Sequence, residues 1–164
     1  MSELSEVIGR PTGAAKVVVE RGPVAKFADA VKNDSPVYQS LEAARAAGFE
    51  HVPAPPTYAF SALQYWGRFP EDQPPDPTGG INPMMEVIGT LMAEGGMVLH
   101  GEQEFEYHKP IQVGDVLTSE GRVVDCYSKE SKGRTMTFLV VEDVYRDEAG
   151  EPVLTSRMNL IHRA

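Results

Sequence analysis

The stretch whose reading decides the fold is Leu99-His100-Gly101-Glu102-Gln103-Glu104-Phe105-Glu106-Tyr107-His108-Lys109-Pro110-Ile111-Gln112-Val113-Gly114-Asp115. Glu102, Glu104 and Glu106 alternate with Gln103, Phe105 and Tyr107, the period of two that a strand shows when one face is wet. Ile111 to Asp115 then reads as a turn. Val116 to Tyr127 is a long strand, and Ser128-Lys129-Glu130-Ser131-Lys132-Gly133 closes a hairpin onto Thr135 to Tyr145. Asp147-Glu148-Ala149-Gly150 makes a second turn. In the last strand Leu154, Met158 and Leu160 share one face with Ser156, while Arg157 and Asn159 point the other way. The second half is therefore expected to be an antiparallel meander of four strands.

Upstream the signals are mostly helical. Lys16 to Glu20 is a short β-branched strand, ended by Gly22-Pro23. Val24, Phe27, Ala28 and Val31 follow at helical spacing behind Pro23, up to Asn33-Asp34-Ser35-Pro36. Ser40 to Ala47 is a second helix, with Gly48 as its stop. Val52-Pro53-Ala54-Pro55-Pro56 is a stiff connector, because residues before proline are pushed toward extended geometry. A helix over 56–66 follows, lined by Tyr58, Ala59, Ala62, Leu63 and Trp66. Residues 67–83 hold five prolines and three glycines, which suit a solvated surface loop or a lid. Met84 to Ala93 is apolar and reads as helix rather than strand. One helix against a curved antiparallel sheet is an α+β arrangement.

Composition narrows the class. The chain has 164 residues and a formal net charge of −9, so one domain spanning 1–164 is expected, with no nucleic-acid partner and no polybasic membrane contact. A single cysteine, Cys126, excludes a disulfide within the chain and suits a cytoplasmic setting. No apolar run reaches a membrane span, and Met1-Ser2-Glu3-Leu4-Ser5-Glu6 lacks the basic start of a signal peptide. The histidines at 51, 100, 108 and 162 show no metal-ligand spacing.

The run Leu99 to Asp115 resembles the signature of the MaoC-like dehydratase N-terminal domain, also described as the dehydratase domain of type I fatty acid synthase. Asn33 to Leu63 is similar to the segment where that family has an Asn-Asp pair, a helix ending in Gly-Phe, an Ala-Pro-Pro-Thr connector and the central helix. The resemblance spans nearly the whole chain. It implies a hot-dog fold, in which a curved antiparallel sheet wraps a long central helix. It implies (R)-specific hydration of an enoyl thioester, or the reverse dehydration, on CoA or acyl carrier protein, with no cofactor. An amide at the start of the central helix commonly polarises the thioester carbonyl there.

Catalytic members carry Asp and His in an Asp-x-Asn-Pro-x-His motif. Registered on Pro36, those positions fall on Asn33 and Tyr38, neither of them a base near neutral pH. The resemblance is therefore to the non-catalytic subunit of two-subunit (3R)-hydroxyacyl-ACP dehydratases, paired with a hot-dog partner that holds both residues. One alternative is a self-sufficient homodimeric hydratase using Asp34 or His100; another is a non-enzymatic acyl-CoA binding module. Candidate substrate-binding residues are Asn33, Tyr38, Pro56, Thr57, Tyr58 and Gln103. His100 and His108 bracket a strand ~26 Å long at strand rise. Even spacing puts both on the face of Glu102, Glu104 and Glu106 unless Gly101 bends the chain and resets that face. Any phosphate contacts fall to a few cations such as Arg68, Lys109 or Arg157.

Overall fold

The computed structural model describes residues 5–131 and 133–164. Met1–Leu4, most of the stretch read above for a signal peptide, and Lys132 of the hairpin lie outside them. The elements are β1 (Pro11–Val18), α1 (Arg21–Ala30), α2 (Leu41–Ala46), α3 (Tyr58–Ser61), α4 (Pro83–Ala93), β2 (Met97–Tyr107), β3 (Val116–Ser131), β4 (Arg134–Arg146) and β5 (Pro152–Arg163). Short 3-10 turns sit at Pro36–Tyr38 and Pro70–Asp72. The strands form one antiparallel sheet in the order β1-β3-β4-β5-β2. This is the expected α+β hot-dog architecture.

The sheet is not a four-strand meander. β2 pairs with β5 instead of β3, because 108–115 leaves the sheet. That segment is held by the proline connector and by the residue after β1. Ala54 N donates to Ile111 O and Val113 N to Val52 O, each at 2.8 Å, and Val19 exchanges 2.8 Å bonds with Gly114 and Asp115. These bonds satisfy the crossing backbone and carry the chain from one edge of the sheet to β3.

The helix expected over 56–66 is one turn, Tyr58–Ser61, followed by turn residues to Tyr65. Pro55 and Pro56 delay its start, and Gly67, at φ 70°, turns the chain back toward β1. Tyr58, Ala59, Ala62 and Leu63 are buried as the spacing predicts, whereas Trp66 is exposed. In α1, Val24 and Ala28 are buried, but Val31 lies past the helix end and is exposed. Ser40 caps α2 by accepting from Ala43 N, and Asn82 caps α4 by accepting from Met84 N.

Two apolar clusters cover the inner face of the sheet. Tyr58, Ala59, Ala62 and Leu63 pack with Val17, Leu117, Tyr145 and Leu154. Val87 and Leu91 of α4 pack with Val123, Leu139 and Val141. Between them the cross-strand line Phe105–Ser156–Asp143–Gly121–Gly13 runs across all five strands.

The two sheet edges differ. The loop 67–83 seals β1: Val18 N donates to Gly67 O at 2.8 Å. The Gln73 carboxamide accepts from Lys16 N at 3.2 Å and donates to Lys16 O at 2.8 Å. Asn82 Nδ2 donates to Thr12 O at 2.8 Å. A side-chain amide thus substitutes for a neighbouring strand. The β2 edge has no such cover among the described residues, and Met97, Leu99 and Tyr107 are exposed along it.

Candidate functional site

A cleft of about 410 Å³ lies where the 3-10 turn, the proline connector and the end of β2 meet; Tyr38, Phe49, Pro56, Tyr107 and Lys109 are among its walls. Pro36 opens the turn that delivers Tyr38. Tyr107 ends β2, and its hydroxyl donates to Pro56 O, tying the strand to the connector. Burial pushes the Tyr107 phenol up to about 12, so it remains a neutral donor at physiological pH. Lys109 is paired with Asp147, which leaves the cleft wall apolar in character.

The predicted residues distribute unevenly around this cleft. Tyr38 and Pro56 line it. Asn33 does not line it: its Oδ1 accepts from Ser35 N at 3.1 Å, and its backbone N–H donates to Ala28 O at 2.9 Å just past α1. It is a turn residue, the use that Asn favours for backbone reasons. Asp34 is exposed and makes no hydrogen bond or ion pair among the described residues. Thr57 is exposed and makes no side-chain cap bond. Tyr58 is buried, edge-on to Phe27 with ring centroids 5.6 Å apart, and burial followed by the Glu20 charge pushes its phenol up to about 12. Its N–H donates to Pro55 O at 2.9 Å, so the first amide of α3 is already taken.

Gly101 resets the face of β2. The register shifts between His100 and Glu102, a bulge at which a Cβ on residue 101 would displace the Ile161 side chain. His100 consequently joins Gln103, Phe105 and Tyr107 on the inner side, its ring edge-on to Phe60 at 5.1 Å. His108, one residue past β2, also lines the cleft, and its Nε2 lies 3.0 Å from Thr155 Oγ1. Gln103 Nε2 donates to Ser156 Oγ at 2.7 Å, while its Oε1 is buried without a partner. No hydrogen bond or ion pair among the described residues joins Asp34 to His100. Phe60, Tyr107 and Ser156 were not singled out as site residues from sequence. Ser156 carried a signal, a lone hydroxyl on the face of Leu154, Met158 and Leu160.

Of the three named cations, Lys109 pairs with Asp147 and Arg157 with Glu142 and Glu104. Among the described residues Arg68 has no carboxylate partner, its Nη1 reaching Gln64 O at 3.3 Å. Among the described residues no three His, Cys, Asp or Glu side chains gather as a metal site requires, and no helix is long and apolar enough to cross a membrane.

Comparison with known proteins adds the following. The family described as "FAS1-like, dehydratase domain region" matches residues 6–156. A "UPF0336 protein" of Saccharopolyspora erythraea is 34% identical over 160 residues, 95% of this chain and 88% of that one. A "Probable enoyl-CoA hydratase alpha subunit" of Thermomonospora curvata is 35% identical over 144 residues, 82% of this chain but 42% of that longer one. The crystal structure of the ChsH1-ChsH2 complex from Mycobacterium tuberculosis holds a chain with a TM-score of 0.75 at 19% identity, covering 98% of this chain and 87% of that one.

Proposed function

The chain belongs to the FAS1-like dehydratase domain family, within the MaoC-like hot-dog dehydratases and hydratases, and from that premise we propose that it is the acyl-thioester-binding subunit of an (R)-specific enoyl-thioester hydratase/3-hydroxyacyl-thioester dehydratase. Its catalytic aspartate and histidine come from a partner hot-dog chain. Adding water across the C2–C3 double bond needs a base to take the water proton, an acid to protonate C2, and a donor on the thioester carbonyl. The observation that carries the reading is Asn33, a neutral amide occupied by Ser35 N. With Tyr38 as the other motif position, the chain has walls for a substrate but neither an aspartate nor a histidine at the two motif positions.

The contrast between the edges supports a second hot dog. β1 is closed by Gln73, whereas β2 leaves backbone groups and the Met97, Leu99 and Tyr107 side chains for a partner. The apolar cleft of Tyr38, Pro56 and Tyr107 suits an acyl thioester. The test is crotonyl-CoA hydration. Purified chain alone should give no turnover above buffer, and adding a hot-dog chain with an intact Asp-x-Asn-Pro-x-His motif should restore it. Robust turnover by the lone chain, lost in Asp34→Asn or His100→Ala, would refute partner dependence.

A further inference from the structure

The cross-strand line over the inner face holds, on β4, a feature that the thioester reading does not use. Asp143 and Tyr145 lie two apart on β4 and so point the same way. Both line a second cavity of about 360 Å³, walled also by Thr12, Ser119 and Arg68. It shares no lining residue with the cleft of Tyr38 and Pro56. Among the described residues neither the Asp143 carboxyl nor the Tyr145 hydroxyl makes a hydrogen bond or ion pair, and Arg68 lacks a carboxylate partner. Three polar side chains thus meet at one cavity, with no hydrogen bond or ion pair between them among the described residues.

The neighbouring strand makes room for the acid. Gly121 faces Asp143 across β3 and β4, and a Cβ at 121 would collide with Asp143 Oδ1 and Thr12 Oγ1. The glycine therefore admits the carboxyl. Burial pushes the Asp143 carboxyl up, and the Glu142 carboxylate adds to that. Burial likewise pushes the Tyr145 phenol up. Both groups are biased toward their neutral, donor forms.

We propose that this cavity binds a small organic carboxylate, whose oxygens are held by the Arg68 guanidinium and the Tyr145 hydroxyl beside the Asp143 carboxyl. A cation would be opposed by Arg68, and an uncharged ligand would leave that guanidinium unmatched. The titratable or charged groups around Asp143 are Glu142 and Tyr145 on its own strand and Tyr65 and Arg68 on the chain after α3. Gly121 and Ser156, its cross-strand neighbours, do not titrate. Ionisation of Asp143 as pH rises sets two negative groups against each other, so binding weakens with rising pH. The inference stands apart from the thioester reading.

The probe is butyrate, titrated into the full chain and followed by backbone amide resonances, with butyramide as the uncharged isostere. Butyrate should shift Gly13, Gly121 and Asp143 saturably, its binding weakening as pH rises, and butyramide should not. Arg68→Gln and Tyr145→Phe should each weaken binding about tenfold. Asp143→Asn, which keeps a donor and cannot ionise, should bind without pH dependence. The dispersed spectrum of each variant reports that it is folded. No saturable shift in the wild type, equal binding of butyramide, or undiminished binding in Arg68→Gln would overturn the proposal.

Discussion

Gly67 and Gly79 sit in the same loop at nearly the same backbone angle, φ 70° and 66°, and alanine at each separates two effects. At Gly79 a Cβ meets nothing within 4 Å. The cost of Gly79→Ala is then left-handed strain of ~1–2 kcal/mol, partly offset by ~0.5–1 kcal/mol of lost freedom in the unfolded chain, about 1 kcal/mol net. At Gly67 a Cβ would run into the Val18 carbonyl, which is backbone. The chain must lift off β1, losing the bond from Val18 N to Gly67 O, worth ~1 kcal/mol, and displacing packed atoms for about another. Gly67→Ala should therefore cost about 3 kcal/mol, a fall in Tm of roughly 6–12 °C against 2–4 °C for Gly79→Ala in a chain of this size. Urea unfolding gives both free energies, and hydrogen exchange at Val18 should quicken in Gly67→Ala alone. Equal losses at the two glycines would refute the idea that close approach of the loop, and not backbone strain, seals the β1 edge.

Two further substitutions probe the site and the outer face. Tyr107→Phe removes the donor to Pro56 O and should cost about 1 kcal/mol, with amide shifts at Thr57 and Tyr58; unchanged shifts would disconnect β2 from the connector. Burial raises the Glu142 pKa, but hydrogen bonds from Arg122 and Arg157, each at 2.8 Å, outweigh it and leave the carboxyl below its usual range. The unfolded state then binds the proton more readily. The contribution is complete above the unfolded value of about 4.3 and is lost as pH falls toward the folded one. Glu142→Gln should flatten the acid limb of stability, by ~1 kcal/mol given that both arginines meet solvent. An acid limb identical to wild type would contradict the pairing.

The strands were legible because their apolar positions repeat every two residues; Leu154, Ser156, Met158 and Leu160 face inward as read. Strand order was not, because local alternation is blind to partners. The β2–β5 pairing depends on bonds from Val19, Val52 and Ala54 to a segment about 60 to 95 residues away. The long central helix failed for a related reason. Tyr58, Ala59, Ala62 and Leu63 keep a helical burial pattern over a backbone that holds only one helical turn. At the site, Asn33 and Tyr38 are legible as departures from the Asp-x-Asn-Pro-x-His motif, and Gly101, in an alternating strand, marks the register shift between His100 and Glu102. Asp143 escaped notice, since its interest lies in the absent side chain of Gly121 on another strand.

The position of β5 between β4 and β2 has a consequence for synthesis. Strands β1, β3 and β4 can assemble as soon as Arg146 has cleared the ribosome, but β2, made forty residues earlier, has no neighbour until Pro152–Arg163 emerges. During that interval Val98 and Phe105, half-buried once β5 is in place, are exposed on an unpaired strand. A nascent chain arrested before Pro152 should therefore engage holdase chaperones through 97–107, and release from the ribosome should end that engagement at once.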